Sequence, residues 1–190
     1  VGIEIHNPES PLSPLMKEYL AVIKKTKSQY LGFIPDFGCF AIAPNQAQWI
    51  KALEAGVSEE HLQQAAKMRY DGVPLKEAQA NLVAQGAHPA IQTVLQGMYG
   101  FVQFKPKAEL PRLLNELKEI LPYSFELHGK FHYLGEDLVE PSIPYKEILA
   151  VVQDSDFSGY LICEYEDELY CGGTEFTKRQ LQMVKQLIKS

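Results

Sequence analysis

The sequence predicts an α/β protein in which parallel strands alternate with crossover helices. Three observations predict it. Four short stretches rich in aromatic and branched residues, at 1–6, 30–37, 123–133 and 158–165, read as buried strands. Each is followed by sequence of helical periodicity, and that alternation requires crossovers between parallel strands. Glu, Asp or His recurs near the carboxyl end of every predicted strand, where parallel α/β proteins build their sites. An open doubly wound sheet and part of a (β/α)8 barrel both satisfy the pattern. No Gly-x-Gly-x-x-Gly and no Walker-type loop follows any strand, so the usual sign of the nucleotide-binding open sheets is missing.

After the first strand, Ser13 and Pro14 supply a helix cap and a proline in the first helical position. That helix should run to about Lys27, with Leu15, Tyr19, Leu20, Val22 and Ile23 as its apolar stripe. The second strand is followed by a helical region at 45–100 that breaks the rhythm. Gly56-Val-Ser58, Asp71-Gly72-Val-Pro74 and Gly86-Ala-His-Pro89 divide it into short helices at 46–55, 59–70, 75–84 and 90–96. It reads as an insertion serving as a lid or an oligomer contact, with apolar surface from Ile91, Val94, Leu95, Met98, Tyr99 and Phe101. A helix at 110–121 leads into the third strand. Another starts near Pro144 and carries Ile148, Leu149, Val151 and Val152. The last is expected to begin at Thr177-Lys-Arg-Gln180, which fits a capping box, with Leu181, Val184, Leu187 and Ile188 facing inward.

Of 190 residues, 46% are hydrophobic and 22% charged, an ordinary globular balance. Eighteen Lys and Arg against 24 Asp and Glu give a net charge of −6. That disfavours nucleic acid and anionic membranes as partners, since both need a basic footprint. Three cysteines, Cys39, Cys163 and Cys171, make neither a disulfide framework nor a zinc knuckle. The first residues lack the basic and apolar regions of a signal peptide. No apolar run reaches the roughly 18 residues of a membrane span. The expectation is a cytoplasmic protein with reduced thiols.

The strand ends carry the chemistry: Glu4-Ile-His6, Asp36-Phe-Gly38, His128-Gly-Lys130-Phe-His132 and Glu164-Tyr-Glu166. Residues i and i+2 of a strand share a face, which pairs Glu4 with His6, His128 with Lys130 and Glu164 with Glu166. Glu4, Asp36, His128 and Glu164 are thereby aimed at one point. Three carboxylates and an imidazole, with no sulfur, suit manganese, magnesium, cobalt or zinc. Four such ligands in an octahedral shell leave two positions, which the neighbouring hydroxyl and carbonyl oxygens of a sugar would fill. Each residue alone has a blander explanation. Asp36 after Pro35 opens a turn, and His128 is a hydrogen-bonded core histidine. A charge at the end of an apolar strand such as Tyr160-Leu-Ile-Cys-Glu164 nevertheless needs a partner, and a shared cation serves all four.

In this order the residues resemble the sugar phosphate isomerase/epimerase superfamily, whose members have a xylose isomerase-like TIM barrel. Glu4 in Gly-Ile-Glu-Ile-His, Asp36 in Phe-Ile-Pro-Asp-Phe-Gly, His128 in Glu-Leu-His-Gly-Lys-Phe and Glu164 in Tyr-Leu-Ile-Cys-Glu-Tyr-Glu match the metal ligands of strands five to eight. Ser142-Ile-Pro-Tyr145-Lys-Glu-Ile-Leu is also typical of the family. The resemblance covers both ends of the chain and omits the insertion. It implies a metal-dependent isomerase or epimerase, with Mn2+ first and Mg2+, Co2+ or Zn2+ as alternatives. Glu4 and Glu164 would shuttle a proton beside a sugar carbonyl, Lys130 would hold a substrate oxygen, and His6, His132 and Glu166 would line the substrate.

Gly-Ile-Glu-Ile-His and His-Gly-Lys-Phe are most similar to catalytic subunits of C-glycoside deglycosidases. Those enzymes act as carbon–carbon lyases, eliminating the aglycone from a 3-keto sugar after proton removal next to the ketone. Two departures from ordinary epimerases point the same way. Cys39 and Phe40 stand where many have a histidine, and His132 where many have an aspartate. A bulkier substrate is expected, with Phe37, Phe40, Phe131 and Tyr133 as aromatic surface. The loop Cys171-Gly-Gly-Thr174 reads as a flexible connection, or as a phosphate site of the kind barrels place after the last strand. A phosphodiesterase of the endonuclease barrel and a non-catalytic barrel subunit are the alternatives, the first disfavoured by the charge and the ligand set.

Glu4 to Asp36 is 32 residues and His128 to Glu164 is 36, each close to one β/α unit of a barrel that averages roughly 250 residues over eight. Residues 1–190 are therefore expected to form the carboxyl-terminal half of a TIM barrel, with the insertion at 45–100 inside it. An N-terminal half would come from a separate or cleaved chain, from residues outside this sequence, or from a second copy, in an oligomer.

Overall fold

The computed structural model describes residues 1–100, 104–166 and 173–189. Four strands form where the sequence is richest in branched and aromatic residues: β1 (Gly2–Ile5), β2 (Gly32–Pro35), β3 (Glu126–Phe131) and β4 (Tyr160–Tyr165). They make two parallel pairs, β1 with β2 and β3 with β4. Isolated parallel bridges from Phe33 to Ser124 and from Asp36 to His128 link the pairs. The strands thus stand in chain order, each beside its predecessor.

The two-residue period sorts the side chains. Ile5, Phe33, Leu127 and Phe131 are buried in the core. Glu4, His128, Lys130 and Glu164 belong to the other face, as the register shows by pairing Lys130 with Glu164 and Asp36 with His128.

Helix α1 (Pro14–Thr26) starts at Ser13, whose side chain accepts from the Met16 N–H, and ends at Lys27 in the left-handed conformation. It buries Met16, Leu20 and Ile23, a narrower stripe than expected. Leu15, Tyr19 and Val22 lie about 100° round the helix from that stripe and are 40–49% exposed. A 3₁₀ turn over Phe37–Phe40 follows β2, capped by Asp36.

The insertion folds into α2 (Gln46–Glu54), α3 (Glu59–Tyr70), α4 (Leu75–Ala84) and α5 (Ile91–Tyr99). Asn45 and Ser58 cap α2 and α3 with their side chains. The four helices bury Leu62, Leu82, Ile91, Val94, Leu95 and Met98, so these apolar residues make a core rather than free surface. Phe101 lies outside the described residues. The excursion closes on itself: the Lys105 N–H donates to the Ala41 carbonyl at 2.8 Å, and the Tyr70 hydroxyl donates to the Ile42 carbonyl at 2.5 Å.

Helices α6 (Leu110–Ile120), α7 (Tyr145–Gln153) and α8 (Gly173–Lys189) complete the chain. Thr177 sits inside α8 and donates to the Gly173 carbonyl at 2.6 Å, so the expected capping box does not start the helix. Gly129 of β3 lets α8 come close. A Cβ there would lie 2.8 Å from the Gln180 amide nitrogen. Buried Gln180 donates to the Gly129 carbonyl at 3.2 Å, and the Tyr145 hydroxyl of α7 donates to the Lys130 carbonyl at 2.8 Å. These two bonds hold the backbone between His128 and Lys130. Among the described residues, no helix is long and apolar enough to cross a membrane, and Cys39 and Cys163 are free thiols. Cys171 and Gly172 of the predicted loop lie outside the described residues, and Gly173 and Thr174 belong to α8.

Candidate metal centre and adjoining cavity

Three of the four expected ligands meet. One donor atom each from Glu4, His128 and Glu164 lies within 4.8 Å of the others. His128 Nδ1 is 2.9 Å from Glu4 Oε1 and 3.4 Å from Glu164 Oε2. Its other nitrogen, Nε2, lies 3.8 Å from Glu126 Oε1. Glu126 comes from the same face of β3 and was not singled out in the sequence, although the Glu126-Leu-His128 spacing already places it there.

The donor set fits a divalent cation. Glu164 Oε2 is buried and makes no hydrogen bond among the described residues, an arrangement a carboxylate oxygen accepts at a cost unless a cation shares it. Burial pushes the Glu164 carboxyl above its ordinary value and the nearby Asp36 charge adds to this, while Lys130 and His128 pull it back.

Asp36 stands beside the trio and faces Lys130. Its Oδ2 is 2.7 Å from Lys130 Nζ, and its Oδ1 accepts from the Gly38 N–H at 2.7 Å. Burial pushes this carboxyl up and the Lys130 ammonium counters it. Lys130 is itself buried, not a solvent-reaching strand end. Its Nζ also approaches Glu166 Oε2 at 2.6 Å and Glu164 Oε1 at 3.5 Å. Burial alone would lower its pKa, but Asp36, Glu166 and Glu164 together hold it above the ordinary lysine value.

His6, Asn7, Asp36, Gly38, Lys130, His132 and Glu166 line a small cavity next to the trio, of about 20 Å³. All four residues expected to bind substrate, His6, Lys130, His132 and Glu166, are on its wall. His61 and His88 of the insertion are exposed or half-buried and bond locally, to Ser58 and to the Ala90 N–H.

The expected aromatic surface is corrected. Phe37, Phe40 and Phe131 are fully buried, because their strand and turn positions put them on the core side. Phe37 meets Tyr145 edge-on at 5.1 Å and Phe131 lies 5.3 Å from Tyr165. Tyr133 is half-buried against Phe176. Cys39, in the place of an expected histidine, donates its thiol to the Ile5 carbonyl.

Sequence reasoning missed two further groups. Glu140 is buried with both oxygens occupied: Oε2 accepts from the N–H groups of His132 at 3.1 Å and Tyr133 at 3.3 Å, and Oε1 from the N–H of Ser142 at 2.8 Å and from its hydroxyl. Lys105 reaches Asn7 Oδ1 at 2.8 Å and the Cys39 carbonyl at 3.0 Å. Both lie in loops with no periodicity to announce them.

No family model matches the chain. It is 26% identical over 186 residues to the 3'-dehydrocarminate deglycosidase alpha subunit of a Microbacterium species, covering 87% of this chain and 49% of the relative. It is 24% identical over 174 residues to a C-glycoside deglycosidase alpha subunit of Arthrobacter globiformis, covering 90% and 48%. A C-glycoside deglycosidase alpha subunit of Microbacterium trichothecenolyticum is 24% identical over 180 residues, covering 87% and 47%. The chain is related to these alpha subunits. It spans about half the length of the curated relatives it matches.

Proposed function

We propose that this chain carries the metal centre of a carbohydrate enzyme that removes a proton beside a sugar carbonyl and eliminates a carbon-linked aglycone from a 3-keto sugar. The observation that carries the reading is the convergence of Glu4, His128 and Glu164 on one face of β1, β3 and β4. The relatives' names favour elimination over epimerisation after the same first step. Glu4, His128 and Glu164 would hold a divalent cation, Mn2+ before Mg2+, Co2+ or Zn2+. Asp36 would join them by exchanging its bond with Lys130. When bound, the cation supplies positive charge that polarises the carbonyl and acidifies the neighbouring C–H.

The chain's own residues do the rest. Glu4 and Glu164 flank the site: one takes the proton from the sugar carbon, a C=C bond forms there as the bond to the aglycone breaks, and the other gives a proton to the departing aglycone carbon. Lys130, held by Glu166 once Asp36 turns to the cation, directs its charge at the oxygen that gains negative charge. His6, His132 and Glu166, on the wall of the cavity, orient the sugar through the group it places there. Parallel strands in sequential order, with helices packed on the face opposite the site, support a (β/α)8 barrel of xylose isomerase type whose other strands come from outside these residues. A protein of alpha-subunit type is expected to work in an oligomer with a second kind of subunit.

The test uses the full-length protein loaded with Mn2+. Incubation with a 3-keto C-glucoside in D2O should release the aglycone, and a chelator should stop it. Purified protein that holds no divalent metal, or whose activity ignores the chelator, would sink the reading.

A further inference from the structure

Two histidines line the cavity beside the trio, and the backbone fixes how each carries its proton. His132 Nδ1 lies 3.0 Å from the Glu166 carbonyl oxygen. His6 Nδ1 lies 2.7 Å from the Asn7 carbonyl oxygen. A carbonyl only accepts, so each Nδ1 donates, and a neutral imidazole has one N–H to give. In the neutral ring of His132, Nε2 then carries no proton and can accept.

His132 is the more tightly held of the two. Its ring is tied to the end of β4 by the Glu166 carbonyl, and its own N–H is tied to the buried carboxylate of Glu140 at 3.1 Å. The residue is 5% exposed, so its surroundings leave the ring little freedom. The cavity it lines, about 20 Å³, has room for one water-sized group and not for a sugar ring. Lys130 in the same wall is already engaged by Asp36 and Glu166. What the cavity offers a newcomer is an acceptor, and the group that fits it is a single hydroxyl.

We propose that His132 is a specificity residue whose Nε2 accepts a hydrogen bond from one hydroxyl of the bound sugar, seated in the cavity beside Lys130. This rests on the carbohydrate reading above. It adds which atom meets the sugar, in which protonation form, and that the group recognised is a donor.

The experiment uses the full-length protein labelled with 15N-histidine. Long-range 1H–15N correlation should give His132 the signature of a protonated Nδ1 and a bare Nε2. A protonated Nε2 in the neutral ring overturns the proposal without any ligand or variant. His132→Asn then separates the roles, since its amide nitrogen replaces Nδ1 and still reaches the Glu166 carbonyl, while nothing replaces Nε2. By calorimetry, the variant should bind 3-keto-glucose about fivefold to tenfold more weakly, the worth of one neutral hydrogen bond. Its Mn2+ affinity and melting temperature should be unchanged. An Asn variant that binds 3-keto-glucose as the parent does overturns the proposal. A parent protein that binds Mn2+ but not 3-keto-glucose overturns instead the carbohydrate reading beneath it.

Discussion

Lys130 Nζ and Asp36 Oδ2 form an ion pair of 2.7 Å between β3 and the end of β2, with side chains 8% and 1% exposed. The bridge from Asp36 to His128 runs alongside it, so the pair clamps the two parallel pairs of strands together at the site. Removing one partner strands the other charge in the interior. Lys130→Met should cost about 3–5 kcal/mol, and adding Asp36→Leu should restore most of it. Urea unfolding of the single and double variants checks this, and equal stability of the two would refute the clamp.

Tyr145 gives the alkaline limb of the stability curve. Burial pushes its phenol well above the ordinary 10.0, and the Gln180 hydrogen bond only partly offsets this. The folded chain keeps the proton to higher pH than the unfolded chain, so the contribution is complete below about pH 10 and falls away as the pH climbs from there towards the folded value. Stability measured by urea midpoint should therefore drop above pH 10, and Tyr145→Phe should flatten that drop while removing the bond to the Lys130 carbonyl.

Glu126 approaches the far nitrogen of His128 at 3.8 Å, the position from which a carboxylate steadies a ligating imidazole. Glu126→Gln should lower Mn2+ affinity by about tenfold to a hundredfold. Glu4→Gln or Glu164→Gln should lower it further. Glu54→Gln, in a surface pair with Lys51, should leave it unchanged. Titration followed by Mn2+ electron paramagnetic resonance ranks the four. An unaltered affinity in Glu4→Gln would remove that residue from the centre.

Glu140 holds four donors on one buried carboxylate. Glu140→Gln replaces one acceptor oxygen with an NH2 group that faces N–H donors, which should cost about 3 kcal/mol. Chemical denaturation measures it, and a loss under about 1 kcal/mol would show that the loop after β3 re-forms without the clamp.

Much of this was legible in the residues because it follows from periodicity. The four strands, the breakers around Gly56, Gly72 and Gly86, and the shared face of Glu4, His128 and Glu164 all come from local rules. What stayed hidden depends on pairing between distant segments. Nothing in Phe-Ile-Pro-Asp-Phe-Gly says that Asp36 will meet Lys130, 2.7 Å away across β2 and β3. Glu140 shows no pattern of its own, since its meaning lies in the N–H groups the loop turns toward it. Phe37, Phe40 and Phe131 are core rather than substrate surface because proximity in sequence to site residues does not reveal which side of a turn or strand faces the interior. The stripe of α1 was drawn too wide for a similar reason, since apolar residues outnumber the positions that one packed face can bury.

The strand face carrying the site is only partly covered in this chain. Tyr160 and Ile162 lie on it, on β4, with 77% and 41% exposure. Isoleucine and tyrosine on a strand of a folded protein are usually covered on at least one side. If further strands complete a barrel, these two side chains become interior packing, and a charge there is buried without a partner. Ile162→Asp should then leave the stability of this segment within about 0.5 kcal/mol when the segment is studied alone, as for any exposed site. The same substitution in the full-length protein should cost several kcal/mol, roughly the 2–5 kcal/mol of deleting a buried isoleucine plus the penalty of a buried charge. Comparing denaturation of the segment and the full-length protein, each with and without Ile162→Asp, decides it. Equal effects in the two would mean that this face stays open to water and that no barrel closes over it.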